Sequence, residues 1–200
     1  MKAMILAAGR GKRMMPLTAQ LPKPMLCVAG KPLIEHHIMR LKAAGISQIV
    51  INLAWQGDKI KAYFADGSAW GVTITYSQEV TGGLETAGGI IQALPLLGES
   101  FIVINGDVYS DYDVSALMQL HLQPKEAHIV LVENPAHNPD GDFALSYLPT
   151  NSQRYTFSGI GRYQADFFEG LAPGIRPLGP LLREKLNEHL VSTELYIGQW

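Results

Sequence analysis

Four cations gather behind one short apolar run: Arg10, Lys12 and Arg13 in Gly9-Arg10-Gly11-Lys12-Arg13, and Lys23 held between Pro22 and Pro24. Glycines there let main-chain N–H groups turn toward an anion with no Cβ in the way. Arginine and lysine add fixed positive charge for phosphate oxygens. At the carboxyl end of a first strand, such a loop suits a polyphosphate. It is not the Gly-x-x-x-x-Gly-Lys-Ser/Thr loop. Leu6 stands where its first glycine belongs, and Arg13 where its hydroxyl belongs. Nor is it the Gly-x-Gly-x-x-Gly dinucleotide fingerprint, whose third glycine would fall on Met14.

A second candidate is Asn105-Gly106-Asp107, directly after the apolar run Phe101–Ile104. A carboxylate at a strand end sits where open α/β sheets take ligands. Mg²⁺ wants one or two carboxylates plus substrate phosphates, so Asp107 is the metal ligand that the residues suggest. Asp111 and Asp113 follow closely and read as a turn and as the cap of a helix from Val114. The small residues of Gly82-Gly83-Leu84-Glu85-Thr86-Ala87-Gly88-Gly89 allow a flat base or a sugar to approach the backbone. His36 and His37 are adjacent on a helix and point in different directions, so they read as core or surface histidines. No Ser-His-Asp or Cys-His set stands out, and phosphoryl-type transfer needs none, since it rests on positioning and charge.

The elements that must hold these groups alternate between strand and helix, which predicts an α/β fold: a Rossmann-like open sheet, mixed but mostly parallel, with helices on both faces. Strands are expected at Lys2–Ala7, Gln48–Leu53, Val72–Ser77, Phe101–Asn105 and His128–Val132. A helix starts at Pro32, shows Leu33, Ile34, His37, Ile38, Leu41 and Ala44 on one face, and stops at Gly45. Further helices are expected at Asp58–Phe64, at Glu85–Leu94 ending before Pro95, and at Val114–Leu122. Beyond Glu133, strands are read at Asp142–Tyr147 and Tyr155–Arg162, helices at Asp166–Leu171 and Leu178–His189, and a last strand at Val191–Ile197. The polar stretch Pro149–Arg154 reads as a loop.

Two hundred residues, 47% of them hydrophobic, suit one domain with a sizeable core. A net charge of −2 offers no basic surplus for nucleic acid or an anionic membrane. The N-terminal apolar run is cut short by Gly9 and the cations, too early for a signal peptide, and no stretch is long enough to span a bilayer. Cys27 is the single cysteine, within an apolar stretch that reads as buried. With no internal disulfide possible, a cytoplasmic location is expected.

The first loop resembles the N-terminal signature of the sugar-1-phosphate nucleotidyltransferases, Leu-Ala-Ala-Gly-x-Gly-x-Arg-Leu/Met-x-Pro-Leu/Met-Thr followed by Pro-Lys-Pro. Leu6 to Thr18 and Pro22 to Pro24 fit it. Met15 departs mildly, standing where many members carry a cation. Asp107 matches the family's Gly-Asp. Leu84 to Gly88 match a segment that lines the nucleotide and sugar pocket, and their Leu-Glu-Thr form is most like the branch that activates N-acetylmuramate 1-phosphate. The resemblance implies a Mg²⁺-dependent enzyme that joins a nucleoside triphosphate, UTP favoured, to a sugar 1-phosphate and releases pyrophosphate. It casts Arg13 and Lys23 as catalytic cations, Arg13 on the β and γ phosphates and Lys23 on the α-phosphate and sugar phosphate. It gives nucleotide contacts to Leu6, Ala7, Ala8, Gly9, Gly11, Lys12, Arg13, Lys23, Gln78, Gly83, Asn105 and Asp107, with the Gln78 amide suited to a uracil edge. It gives sugar contacts to Leu84, Glu85, Thr86, Gly141, Asp142 and Gly159, and the metal to Asp107. Within the class, mannose-1-phosphate guanylyltransferases and glucose-1-phosphate thymidylyl- or uridylyltransferases share the signature. A non-catalytic nucleotide-sensing subunit is the alternative of another class.

Two departures bear on activity. Relatives carry a second metal-binding Asp in a Trp-x-Asp-x-Gly-Thr segment, which this sequence would reach just past Trp200. The expectation is a chain that binds nucleotide but turns over poorly, unless that segment follows or Glu194 substitutes for it. Many relatives also set a Lys on the sugar phosphate, but no Lys lies between Lys125 and Lys185, leaving Arg154 and Arg162 as the candidates. Oligomeric state is not legible in the residues.

Overall fold

The computed structural model describes residues 1–11, 14–79, 83–149 and 152–200. In chain order the elements are β1 (Lys2–Leu6), β2 (Cys27–Val28), β3 (Lys31–Pro32), α1 (Leu33–Ala43), β4 (Gln48–Leu53), α2 (Gly57–Phe64), β5 (Thr73–Gln78), α3 (Glu85–Leu97), β6 (Ser100–Asn105), α4 (Ser115–Gln119), β7 (Ala127–Val132), β8 (Phe143–Ala144), β9 (Arg154–Gln164), α5 (Leu178–Asn187) and β10 (Val191–Tyr196). The main sheet runs β10-β7-β9-β6-β1-β4-β5, with β8 paired to β9. β1 lies parallel to β4 and β6, β4 parallel to β5, and β10 parallel to β7. Within the main sheet, among the described residues, β9 alone runs against its neighbours β6, β7 and the short β8. The α/β expectation of a mixed, mostly parallel sheet therefore holds.

Apolar residues fill both faces. Ala3 and Ile5 of β1 pack with Ile34, Ile38 and Leu41 of α1 and Ile60 and Phe64 of α2. Met4, between them, points the other way, toward Ala87 and Ile90 of α3 and Leu181 and Leu182 of α5. Alternation along a strand sends successive side chains to opposite faces, so a central strand covered on both sides is apolar throughout. The chain winds outward from β1 through β4 to β5, then crosses back over α3 to β6 on the other flank of β1. The connections that leave the carboxyl ends of β1 and β6 thus run to opposite flanks of the sheet, a switch point of the kind where open α/β sheets take their ligands.

Several boundaries differ from the sequence reading, each for a tertiary reason. α3 passes through Pro95 to Leu97, whose side chain is buried. Proline removes one N–H in the final turn, and burial of the apolar face outweighs that loss. α4 is five residues long instead of reaching Leu122. The Arg162 guanidinium, from β9, takes the Leu117 and Leu120 carbonyls at 2.9 and 2.6 Å and ends the helix there. β8 shrinks to two residues, and Asp166–Leu171 becomes a tight turn over Ala165–Phe168. Cys27 is exposed, not buried. It lies in a small β2–β3 hairpin whose turn places Ala29 and Gly30 at positive φ, and which rests outside the core. Residues 150 and 151 of the Pro149–Arg154 stretch lie outside the described residues. Among the described residues, no helix is long and apolar enough to cross a membrane.

Candidate active site

The carboxyl ends of β1, β4, β5 and β6 surround a cleft of about 760 Å³. One wall is the first loop, with Leu6, Ala8, Gly9, Arg10 and Gly11; the opposite wall is Gln78, Gly83, Leu84, Glu85 and Thr86; Lys23, Asn105 and Asp107 stand between them. Most of the residues singled out from sequence therefore meet in one place. Lys12 and Arg13 lie outside the described residues, as does Gly82.

Local packing explains the loop. Gly11 sits at φ +59, and a Cβ there would meet Thr18 Cγ2 at 2.9 Å. The buried Thr18 hydroxyl in turn donates to the Gly11 carbonyl at 2.8 Å. The Thr of the signature thus pins its second glycine. Gly106 N–H donates to the Leu6 carbonyl at 2.9 Å, and a Cβ on Gly106 would come within 2.8 Å of that oxygen. Glycine at this position lets the end of β6 close onto the end of β1 and delivers Asp107 to the cleft.

Lys23 Nζ and Asp107 Oδ2 form an ion pair at 2.7 Å, both side chains partly exposed. Lys23 opens a tight turn, Lys23–Met25, between two prolines that fix its backbone. The loop behind Asp107 is braced from α1. His37 Nε2 donates to the Val108 carbonyl at 2.6 Å, and Arg40 donates to the Tyr112 carbonyl at 2.7 Å. Burial pushes His37 down to about 4, so the ring is neutral and its Nε2 carries the proton. His36 is held by the Val28 carbonyl, and neither histidine lines the cleft. Asp113 accepts from both the Ser115 N–H and its hydroxyl, the turn expected of it. Asp111 accepts from Tyr196 and from Gln199 N–H, and the Tyr196 hydroxyl holds its carboxyl below the usual range.

Gly141, Asp142 and Gly159 are placed differently. Asp142 Oδ2 accepts from Phe157 N–H at 2.9 Å and from the Asn138 amide at 3.1 Å. Gly141, at φ +63, turns the chain into β8 against the Arg154 backbone. Gly159 lies in a bulge of β9, where the register with β7 shifts after Val130. Its φ is +81, and a Cβ there would meet Asn105 Nδ2 at 2.5 Å. Gly159 thus touches the cleft through Asn105, while Gly141 and Asp142 do not line it. The two arginines suggested for a sugar phosphate are also elsewhere. Arg162 is buried on α4 carbonyls, and Arg154 is exposed at the start of β9. Glu194 is committed to Tyr112 and lies 3.6 Å from His128 Nε2, which holds its carboxyl below the usual range. It does not line the cleft.

The model of the family described as Nucleotidyl transferase matches residues 2–143. The chain belongs to that family. It is 54% identical, over 213 aligned positions, to the N-acetylmuramate alpha-1-phosphate uridylyltransferase of Neisseria meningitidis serogroup B, covering all of this chain and 91% of that protein. It is 33% identical to the UTP–glucose-1-phosphate uridylyltransferase of a Synechocystis species, covering 78% of this chain but only 43% of that longer protein. Solved structures with the same fold include the inositol-1-phosphate CTP transferase of T. maritima, with a TM-score of 0.78 at 15% identity, over 98% of this chain and 85% of that one. A UDP-glucose pyrophosphorylase complexed with UDP-glucose has a TM-score of 0.74 at 19% identity, over 99% and 91%.

Ala54, Asn52, Trp55 and Glu79 also line the cleft of this nucleotidyl transferase. Asn52 and Glu79 are buried, and Trp55 stacks under Arg10, with the guanidinium carbon 4.5 Å from the ring centre. Asn52 had a signal: it is the lone polar residue in the apolar run Ile49–Leu53. Ala7 does not line the cleft, because its N–H is turned onto Asn52 Oδ1 at 2.8 Å. Glu85, at φ +60, occupies a backbone conformation that favours glycine.

Proposed function

We propose that this nucleotidyl transferase joins UTP to N-acetylmuramate 1-phosphate and releases pyrophosphate, with Mg²⁺ as its cofactor. The observation that carries the reading is the end-to-end likeness, at 54% identity, to the Neisseria enzyme of that name. Support comes from a cleft whose glycine loop, lysine and carboxylate suit a triphosphate. In the reaction, an oxygen of the sugar phosphate attacks the α-phosphorus of UTP. The bond from that phosphorus to the bridging oxygen breaks, and pyrophosphate leaves with the electron pair.

Lys23, freed from Asp107, would neutralise the α-phosphate and the incoming sugar phosphate as charge moves between them. Arg13 would hold the β and γ phosphates in a bidentate fork. Main-chain N–H groups of the glycine loop would bind the same oxygens. Gln78, on the cleft wall with its amide donating to the Leu53 carbonyl at 3.2 Å, would turn to the uracil edge. Leu84, Glu85 and Thr86 would border the sugar, with Gly159 acting through Asn105.

The donor set fits Mg²⁺. Asp107 is a partly exposed carboxylate that already pairs with a cation, and among the described residues no group of three or more His, Cys, Asp or Glu could cage a metal. An ion that draws most of its ligands from phosphates and water suits that arrangement. When bound, Mg²⁺ supplies positive charge to the phosphate oxygens; Asp107 would hold it. A product of this kind belongs to cytoplasmic recycling of cell-wall sugars, performed by one domain.

The test is pyrophosphate release from a panel of sugar 1-phosphates against UTP, GTP and dTTP. The reading expects the pair of UTP and N-acetylmuramate 1-phosphate to dominate. Dominance of mannose 1-phosphate with GTP, or of a glucose 1-phosphate pair, would replace it. Nucleotide binding with no release from any pair would make the chain a sensor.

A further inference from the structure

One relay of hydrogen bonds crosses the floor of the cleft. Ala7 N–H donates to Asn52 Oδ1 at 2.8 Å, the Asn52 amide nitrogen donates to Glu79 Oε1 at 2.6 Å, and Leu84 N–H donates to Glu79 Oε2 at 2.8 Å. All four residues are less than a tenth exposed. Ala7 directly follows β1 and opens into the glycine loop, and Leu84 leads into α3 on the facing wall. The relay therefore ties together the two walls assigned above to the nucleotide, and the inference rests on that assignment.

Its polarity is fixed from outside. Both ends are main-chain N–H groups, which can only donate. An amide side chain offers an acceptor on one side and a donor on the other. Asn52 must turn its oxygen to Ala7, so its nitrogen faces position 79. The group at position 79 must then accept from both sides, and a carboxylate does so where an amide cannot. A buried donor facing another donor loses its bond and bears the full desolvation cost. Helix α3 is shaped for the pair. A Cβ on Gly89 would meet Glu79 Oε1 at 2.5 Å and Asn52 Nδ2 at 2.9 Å.

We propose that Asn52 and Glu79 are positioning residues that set the spacing of the two nucleotide walls. Neither needs to touch a reacting atom. Loss of the relay should therefore appear in nucleotide affinity more than in the chemical step.

Three variants test this by calorimetric binding of UTP with Mg²⁺, alongside kinetics. Glu79→Gln forces one donor–donor contact and should weaken UTP binding roughly tenfold, the scale of one lost buried hydrogen bond. The KM for UTP should rise with it, while kcat at saturating UTP stays close to that of the parent. The double variant Asn52→Asp with Glu79→Gln reverses the relay: the new carboxylate accepts from Ala7 and from the new amide, whose oxygen accepts from Leu84. It should recover most of the lost affinity, which a merely structural loss of Glu79 would not do. Gly89→Ala wedges the pair apart without changing its polarity and should also weaken UTP binding. It serves as the test if Glu79→Gln does not fold. Unchanged UTP affinity in Glu79→Gln, or in Gly89→Ala where that is the test, overturns the proposal. So does a double variant no tighter than the single. A parent protein that binds no nucleoside triphosphate overturns the nucleotide reading itself.

Discussion

Around the ends of β1, β4, β5 and β6, polar groups face the cleft or brace the main chain that does; around β8 and β9, on the other side of Asn105, they satisfy one another. Lys23 and Asp107 are partly exposed and, among the described residues, form side-chain ion pairs only with each other. Asp142 is tied to Phe157 N–H and Asn138, and Thr156 to Asn134 and Asn138. The topology produces the contrast. Parallel strands deliver their carboxyl ends together, so the loops that follow carry groups free for a ligand. The antiparallel β9 delivers a bulge and its cross-strand neighbours, whose polar side chains bond across the turn to β8. A motif in sequence names residue types; the strand direction beneath it decides whether they meet a ligand or each other.

The largest effect should follow Asp107→Asn. A neutral amide is a poor ligand for a hard dication and a weak partner for Lys23. Turnover should fall by roughly a thousandfold or more, while thermal stability holds, since a partly exposed ion pair contributes only about 0–1 kcal/mol. Pyrophosphate release and a melting curve on the same preparation check both halves. Surviving turnover would show that the exposed pair is not the working centre, and the contrast between the two sides would lose its meaning.

Lys23→Ala should come next, with turnover lowered roughly a hundred- to a thousandfold and the fold intact. Single-turnover rates at saturating UTP read it directly. A variant within a few-fold of the parent would make Lys23 a mere counter-ion that keeps Asp107 quiet in the empty cleft.

The same contrast explains what the sequence made legible. Gly9, Gly11, Lys23 and Asp107 each sit in a short motif of fixed spacing, so their types and neighbours single them out. The strands through Ile5, Val50 and Val103 are apolar enough to identify, and their alternation with helices predicts the sheet. Asn52 and Glu79 work through contacts 45 and 27 residues apart in sequence, which no local pattern carries. α4 is cut short by an arginine from a strand more than forty residues later. The hairpin that exposes Cys27 turns at Ala29-Gly30, and an apolar string around a turn reads as core unless the turn is seen first.

Asp142→Ala probes the opposite side. It leaves Phe157 N–H and the Asn138 amide short of an acceptor, at about 1–3 kcal/mol. The melting temperature should drop, with UTP affinity unchanged. Loss of UTP affinity at unchanged stability would erase the division between the two sides.

The smallest effect at neutral pH concerns the brace under Asp107, which shows itself only as the solution is acidified. His37 is depressed from 6.5 to about 4 by burial, and its Nε2–H is held on the Val108 carbonyl. Well above pH 6.5 the ring is neutral in both folded and unfolded chains and contributes no pH dependence. As pH falls from 6.5 toward 4, the unfolded chain takes up a proton that the folded one refuses. Stability from this group is therefore lost at up to about 1.4 kcal/mol per pH unit across that window, and the loss levels off below it. His37→Gln keeps an N–H for Val108 but does not titrate. The parent should lose more stability than this variant between neutral pH and the lower end of the window, as urea midpoints at each pH would show. Other groups titrate alike in both proteins, so the difference isolates His37. Parallel profiles would mean that the brace behind Asp107 is insensitive to acid. A variant that is flatter in pH and also slower at neutral pH would tie the brace to the position of Asp107 itself.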